Sequence, residues 1–305
     1  MAKSDSKILQ NEIKKLLDAM LGGNVKKAKK PNNRITPHAV TGPLSTMKIL
    51  MIDIETSPHE LLGFGLFNQN FGIDSIKKAS EVICYAAEWM HETNNVMFDS
   101  VNESTPEEMM SGLWKLVDEA DAICHYNGRS FDMKKILGSF MMCGLKPPRP
   151  YKNIDLLDVV RKTDGYASKK LDWIAQVING DRKLSHAGID LWKRCGEGDQ
   201  KAWKTMKKYN IKDTALLRGL YWKYLPYMDK HPNHAVFMVR AGITLRSPIC
   251  PNCGSDDLRT NGIIALSTQM YELDTCNNCG THIRGRSTIV PKESRKFIRT
   301  QTTNG

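Results

Sequence analysis

The chain has 305 residues, 41% of them apolar, and 44 Lys/Arg against 33 Asp/Glu give it a net charge of +11. That length suits one substantial core plus a small appended module. No apolar run reaches the length of a membrane span, and the N-terminus has no apolar signal core before a small-residue cleavage site, so a soluble, intracellular, cytoplasmic protein without a membrane partner is expected.

The charge is unevenly placed: +7 over residues 1–48, +3 over 243–305 and +1 over the body between them. Basic ends around a nearly neutral body suit a polyanion held by flanking segments, or a solubilising tail. Residues 7–21 have Ile8, Leu9, Ile13, Leu16, Leu17, Met20 and Leu21 at helical spacing, ending at Gly22-Gly23. The basic stretch 26–34 reads as a linker that either touches phosphates or is simply solvated.

Organised structure is expected from Met47. Strands are predicted over 48–54, 81–90, 95–101, 121–126 and 153–158, the second and third as an antiparallel hairpin. Thr105-Pro-Glu-Glu opens a helix running to about Ala120, and a second helix is predicted over 130–143. From 168 to 228 the pattern is mostly helical. Residues 59–80 form a long excursion between the first two strands, of a length that is often functional. The order predicts an α/β fold, a mixed five-stranded sheet flanked by helices.

Three acidic segments fall at telling places. Asp53-Ile-Glu55 ends the first strand, where alternation puts both acids on one face. Two like charges there are hard to desolvate without a cation, unless the strand end has already reached solvent. Asn127-Gly-Arg-Ser-Phe-Asp132 leads from a strand into a helix, which an ordinary turn would also explain. Tyr209 and Asp213 are four apart and share a helix face. Four carboxylates that converge could hold two divalent cations, a pair suited to phosphodiester hydrolysis.

Taken together, DxE, NGxxFD and YxxxD in this order resemble the DEDD exonuclease superfamily of ribonuclease H-like fold. Position 208 is Lys, so the Tyr branch is indicated, similar to the proofreading domains of B-family DNA polymerases. The stretches 153–158 and 168–173 share that similarity, which covers about 47–230 and leaves no room for a polymerase palm. The resemblance implies that Asp53 bridges two Mg²⁺ or Mn²⁺ ions. It implies that Glu55 and Asp213 hold the ion that activates water, and that Asp132 helps place the second. Tyr209 would orient the attacking water, because a phenol is a poor base at neutral pH. Asn127 and Phe131 would shape the substrate pocket, with His125 and Tyr126 in core or supporting roles.

Cys250-x-x-Cys253-Gly and Cys276-x-x-Cys279-Gly, 22 residues apart, predict one Zn²⁺ in a closed Cys₄ zinc ribbon, with a hairpin between the knuckles. Cys84, Cys124, Cys143 and Cys195 read as free buried thiols. Basic residues after the ribbon favour nucleic acid over protein docking. The expected organisation is a basic arm over 1–46, a nuclease domain over 47–242, the ribbon over 243–290 and a basic tail over 291–305.

The leading expectation is a metal-dependent 3′→5′ exonuclease on single-stranded or unpaired-end DNA. The alternatives are an RNA exonuclease, a structure-specific endonuclease on the same fold, and a non-catalytic nucleic-acid-binding adaptor. The resemblance also implies replication or repair proteins as partners.

Overall fold

The computed structural model describes residues 46–65, 70–92, 95–185 and 187–300. The expected helix over 7–21 and the linker over 26–34 lie outside the described residues. In chain order the elements are β1 (Ile49–Thr56), β2 (Glu60–Leu61), β3 (Ile76–Lys78), β4 (Val82–Trp89), β5 (Val96–Ser100), α1 (Pro106–Glu119), β6 (Ala122–His125), α2 (Asp132–Met142), β7 (Lys152–Asp155), α3 (Leu156–Thr163), α4 (Leu171–Asn179), α5 (Ile189–Gly196), α6 (Gln200–Tyr224), α7 (His234–Arg240), β8 (Leu258–Ala265), β9 (Met270–Cys276), β10 (His282–Thr288) and α8 (Lys292–Arg295).

The main sheet has the order β5-β4-β1-β6-β7. β1 pairs antiparallel with β4 and parallel with β6, so it lies at the centre of a mixed sheet, as expected. Its apolar residues alternate between two cores. Leu50, Ile52 and Ile54 face α1 and α2, where they meet Leu113, Val117, Ile136 and Phe140. Ile49 and Met51 face the other way, toward Leu216, Leu217, Leu220 and Tyr221 of α6. Period-two alternation therefore carries Asp53 and Glu55 onto the α6 side.

The helix starts follow local chemistry. At the predicted N-cap of α1, Thr105 and Glu108 form a capping box, which satisfies two otherwise unpaired backbone donors. The fifth strand is shorter than expected. Asp155 accepts from the Leu157 N–H as an N-cap, so the chain turns helical at Leu156 and Asp158 lies on α3. α2 begins at Asp132 rather than at Ser130. The preceding residues form a tight turn, with Asn127 at φ 64° and the Ser130 N–H donating to the Asn127 carbonyl. Within 59–80, β2 and β3 form a short two-stranded finger.

α6 is the longest described helix. It starts on an Asp199 cap and buries about half of its residues. It can approach the sheet closely because the strand beneath it presents small side chains. Ala86 and Cys84 of β4 lie beside Asp53 and Glu55, and the Thr214 hydroxyl donates to the Ala86 carbonyl at 3.2 Å.

β8, β9 and β10 form a separate three-stranded antiparallel sheet, and the predicted hairpin is its first pair. Its cysteines join the same apolar cluster as α6, and Asn252 donates to the Leu225 and Met228 carbonyls at 2.8 and 3.0 Å.

Candidate metal centre and its surroundings

Three of the four predicted carboxylates meet. Asp53 and Glu55 from β1 and Asp213 from α6 each offer an oxygen within 4.8 Å of the others. Asp132 is also buried, at the start of α2, and its negative charge acts on both β1 carboxylates. Its own carboxylate is hydrogen-bonded by the backbone of Ile54, between the two β1 acids, and it does not join the tight trio.

Crowding acids into a buried place makes their charged forms costly. Burial, then Asp213, Glu55 and Asp132, push the Asp53 carboxyl well above the ordinary carboxylate range. Burial and Asp213 push Glu55 up to about 8. Burial raises Asp132 as well. A cation among these oxygens would relieve the repulsion that raises them. The donor set is all oxygen, which suits Mg²⁺ or Mn²⁺.

Two residues that sequence reasoning missed complete the site. The Lys183 ammonium donates to the Asp213 carboxylate at 2.5 Å and to the Tyr209 hydroxyl at 3.2 Å. It also lies 5.3 Å from the Tyr209 ring centre. The carboxylates hold this Lys above its ordinary range despite its burial. Asn210, fully buried, donates to Asp53 at 2.6 Å. Asn210 had a signal: it is a polar residue on the helix face shared by Asp213 and Thr214. Lys183 had none, since its loop reaches the site through the tertiary fold.

Tyr209 lies against Trp192, edge to face at 6.2 Å. Burial and Asp213 push its phenol up to about 12, so it keeps its proton. A phenol that keeps its proton is unsuited to act as a base.

The second motif is held by Asp155. Its carboxylate accepts from the Asn127 N–H at 2.8 Å and the Arg129 N–H at 3.3 Å. His125 accepts from the Gly128 N–H at Nδ1 and pairs with Asn153 at Nε2. With Nδ1 accepting from that N–H, Nε2 is the ring nitrogen that donates to the Asn153 side-chain oxygen at 3.0 Å. Asn127 and Phe131 are not among the clustered carboxylate-bearing residues. Asn127 lines an open groove with Tyr126, Tyr166, Lys169, Lys170 and Lys183 beside Tyr209, and Phe131 is half-exposed.

At the other sheet, the Sγ atoms of Cys250, Cys253, Cys276 and Cys279 lie within 4.8 Å of one another, with close pairs at 3.6 and 3.5 Å. Four thiolates about 2.3 Å from one tetrahedral ion would be about 3.8 Å apart, so the cluster fits Zn²⁺. Gly254 and Gly280 follow each pair at φ 75° and 81°, the backbone that the predicted knuckle glycines supply. Cys84, Cys124 and Cys195 are buried free thiols and Cys143 is partly exposed.

A search of curated protein sequences finds no match. Among solved structures, the chain is similar to the family B DNA polymerase from the hyperthermophilic archaeon Pyrobaculum calidifontis. The TM-score is 0.46 at 18% identity, over 59% of this chain and 25% of that one, so the chain spans about a quarter of the polymerase's length. The family model of the RNase H superfamily matches residues 73–224, which contain the second and third motifs and follow β1. That match makes residues 73–224 an RNase H-like domain.

Proposed function

We propose that the protein is a metal-dependent 3′→5′ exonuclease that hydrolyses phosphodiester bonds of single-stranded or unpaired-end DNA. The observation that carries this reading is the meeting of Asp53, Glu55 and Asp213 within 4.8 Å, beside a Tyr–Lys pair. Asp53, Glu55 and Asp213, with Asp132 contributing to a second position, would hold two Mg²⁺ or Mn²⁺ ions. Such ions lower the pKa of bound water and offset charge on the leaving oxygen.

The chain's own residues do the positioning. Asn210 fixes the Asp53 carboxylate by a hydrogen bond to one of its oxygens. Tyr209 keeps its proton and receives a hydrogen bond from Lys183, so its hydroxyl hydrogen is directed away from that ammonium. It orients a water near Asp213. Lys183 balances the trio's negative charge until cations enter. Asp155 and His125 hold the turn that presents Asp132. The groove with Tyr126, Tyr166, Lys169 and Lys170 offers aromatic rings and ammonium groups to an unpaired strand.

The test uses matched DNA and RNA strands labelled at the 5′ end, incubated with Mg²⁺, Mn²⁺ or EDTA. A metal-dependent ladder shortening from the 3′ end of DNA is expected. Discrete internal cuts would replace the exonuclease by an endonuclease, a ladder on RNA alone would change the substrate, and binding without cleavage would leave only an adaptor.

A further inference from the structure

The strand register of the small sheet sorts its charges. Directly paired residues share a face, and neighbours along a strand alternate. Leu258 lies opposite Cys276, and Ile283 opposite Asp274. Leu258 and Ile283 pack on the cluster that contains the four cysteines and α6, so this face is turned to the body. It also carries both acids of β9, Glu272 and Asp274. Gly285 lies there too, with its Cα beside the Glu272 backbone.

The opposite face carries Arg259 and His282, both opposite Thr275, and Arg284 opposite Leu273. Arg286 lies in the irregularly paired stretch between Arg284 and Thr288, and Tyr271, opposite Ile264 and Thr288, lies in the middle. All three arginines are exposed. The Arg284 guanidinium stacks on the Tyr271 ring at 4.3 Å from its centre. His282 Nδ1 is 2.9 Å from the Thr275 hydroxyl, which anchors the imidazole over β9. Among the described strand residues, no carboxylate shares this face.

We infer that this outer face of the Cys₄ sheet is a second nucleic-acid-binding surface, which holds a single strand while its end occupies the carboxylate site. The inference rests on the nuclease reading for the identity of the polyanion. Three exposed guanidinium groups on a rigid, metal-stapled sheet fit phosphate oxygens. The planar Arg284–Tyr271 stack gives bases of any sequence a flat partner. Placing the exposed Glu272 and the partly buried Asp274 on the reverse face keeps both carboxylates away from a polyanion on this one.

The test uses the full chain, zinc-loaded, in two forms: an Asp213→Ala background and the same background with Arg259→Gln, Arg284→Gln and Arg286→Gln. Fluorescence anisotropy with a labelled 30-nucleotide strand is read in EDTA-free buffer over a salt series. Zinc content and thermal midpoint confirm that both forms are folded; if the triple form loses zinc, Arg259→Gln/Arg286→Gln replaces it, since neither residue stacks on Tyr271. The expected result is at least a tenfold loss of affinity and a salt slope shallower by about 2, since each phosphate contact to a single strand contributes about 0.7. Unchanged affinity and slope overturn the inference and leave the face to a protein. Turnover of a dinucleotide by the triple form with Asp213 restored should match wild type. No dinucleotide turnover by wild type would count against the nuclease reading while leaving the binding measurement intact.

Discussion

At the residue scale, the chemistry turns on how β1 and α6 share one buried volume. Glu55 titrates near 8 when folded but near its ordinary 4.5 when unfolded, so the folded, metal-free protein holds the extra proton between those values. The stability this group contributes is full below about pH 4.5 and is lost as pH rises through 8. Thermal midpoints of metal-free wild type should therefore fall from pH 5 to 9 more steeply than those of Glu55→Gln, and added Mn²⁺ should reverse the fall; parallel curves would contradict the shift. Tyr209→Phe keeps the ring packed on Trp192 but removes the hydroxyl held by Lys183. Turnover should drop about 10- to 100-fold with Mn²⁺ affinity unchanged, because only orientation is lost. A matching loss of metal binding would instead make Tyr209 a ligand.

At the element scale, short turns decide where carboxylates point. A Cβ at Gly128 would lie 2.5 Å from the His125 ring. Gly128→Ala should cost about 1–3 kcal/mol and displace Asp132, so activity falls further than stability alone explains; wild-type denaturation and turnover would refute this. Thr105→Ala, by contrast, loses one cap far from the trio and should cost about 1 kcal/mol with turnover preserved. Much of this scale was legible beforehand. The Thr105 N-cap, the β1 alternation, the hairpin, the knuckle glycines and the Tyr209–Asp213 face each follow from local period or cap chemistry. The end of β7 was misread because the apolar Leu156-Leu157 fits a strand as well as a helix, and only the Asp155 cap decides between them. Lys183 and the backbone contacts of Asp155 were illegible, since they join loops far apart in sequence and depend on the path of α4 and the Asn127 turn.

At the scale of the whole molecule, the Cys₄ sheet is fastened to the nuclease body. The four cysteines share one apolar cluster with Ile49, Met51 and the last turns of α6, and Asn252 ties to the carbonyls that follow that helix. Cys276→Ser should therefore remove one zinc per chain and lower the thermal midpoint of the whole described unit, as a single transition; a separate early melting step would show that the modules are uncoupled. On the proposed reading, the cationic Cys₄ sheet would grip a polyanion and the carboxylate trio would cut it. The central claim concerns the cutting part, and counting bound Mn²⁺ tests it most directly. Equilibrium dialysis of zinc-loaded wild type should find two Mn²⁺ per chain at pH 8 and Asp213→Ala none, with DNA hydrolysis lost in parallel, whereas undiminished Mn²⁺ binding and hydrolysis by Asp213→Ala would contradict the account.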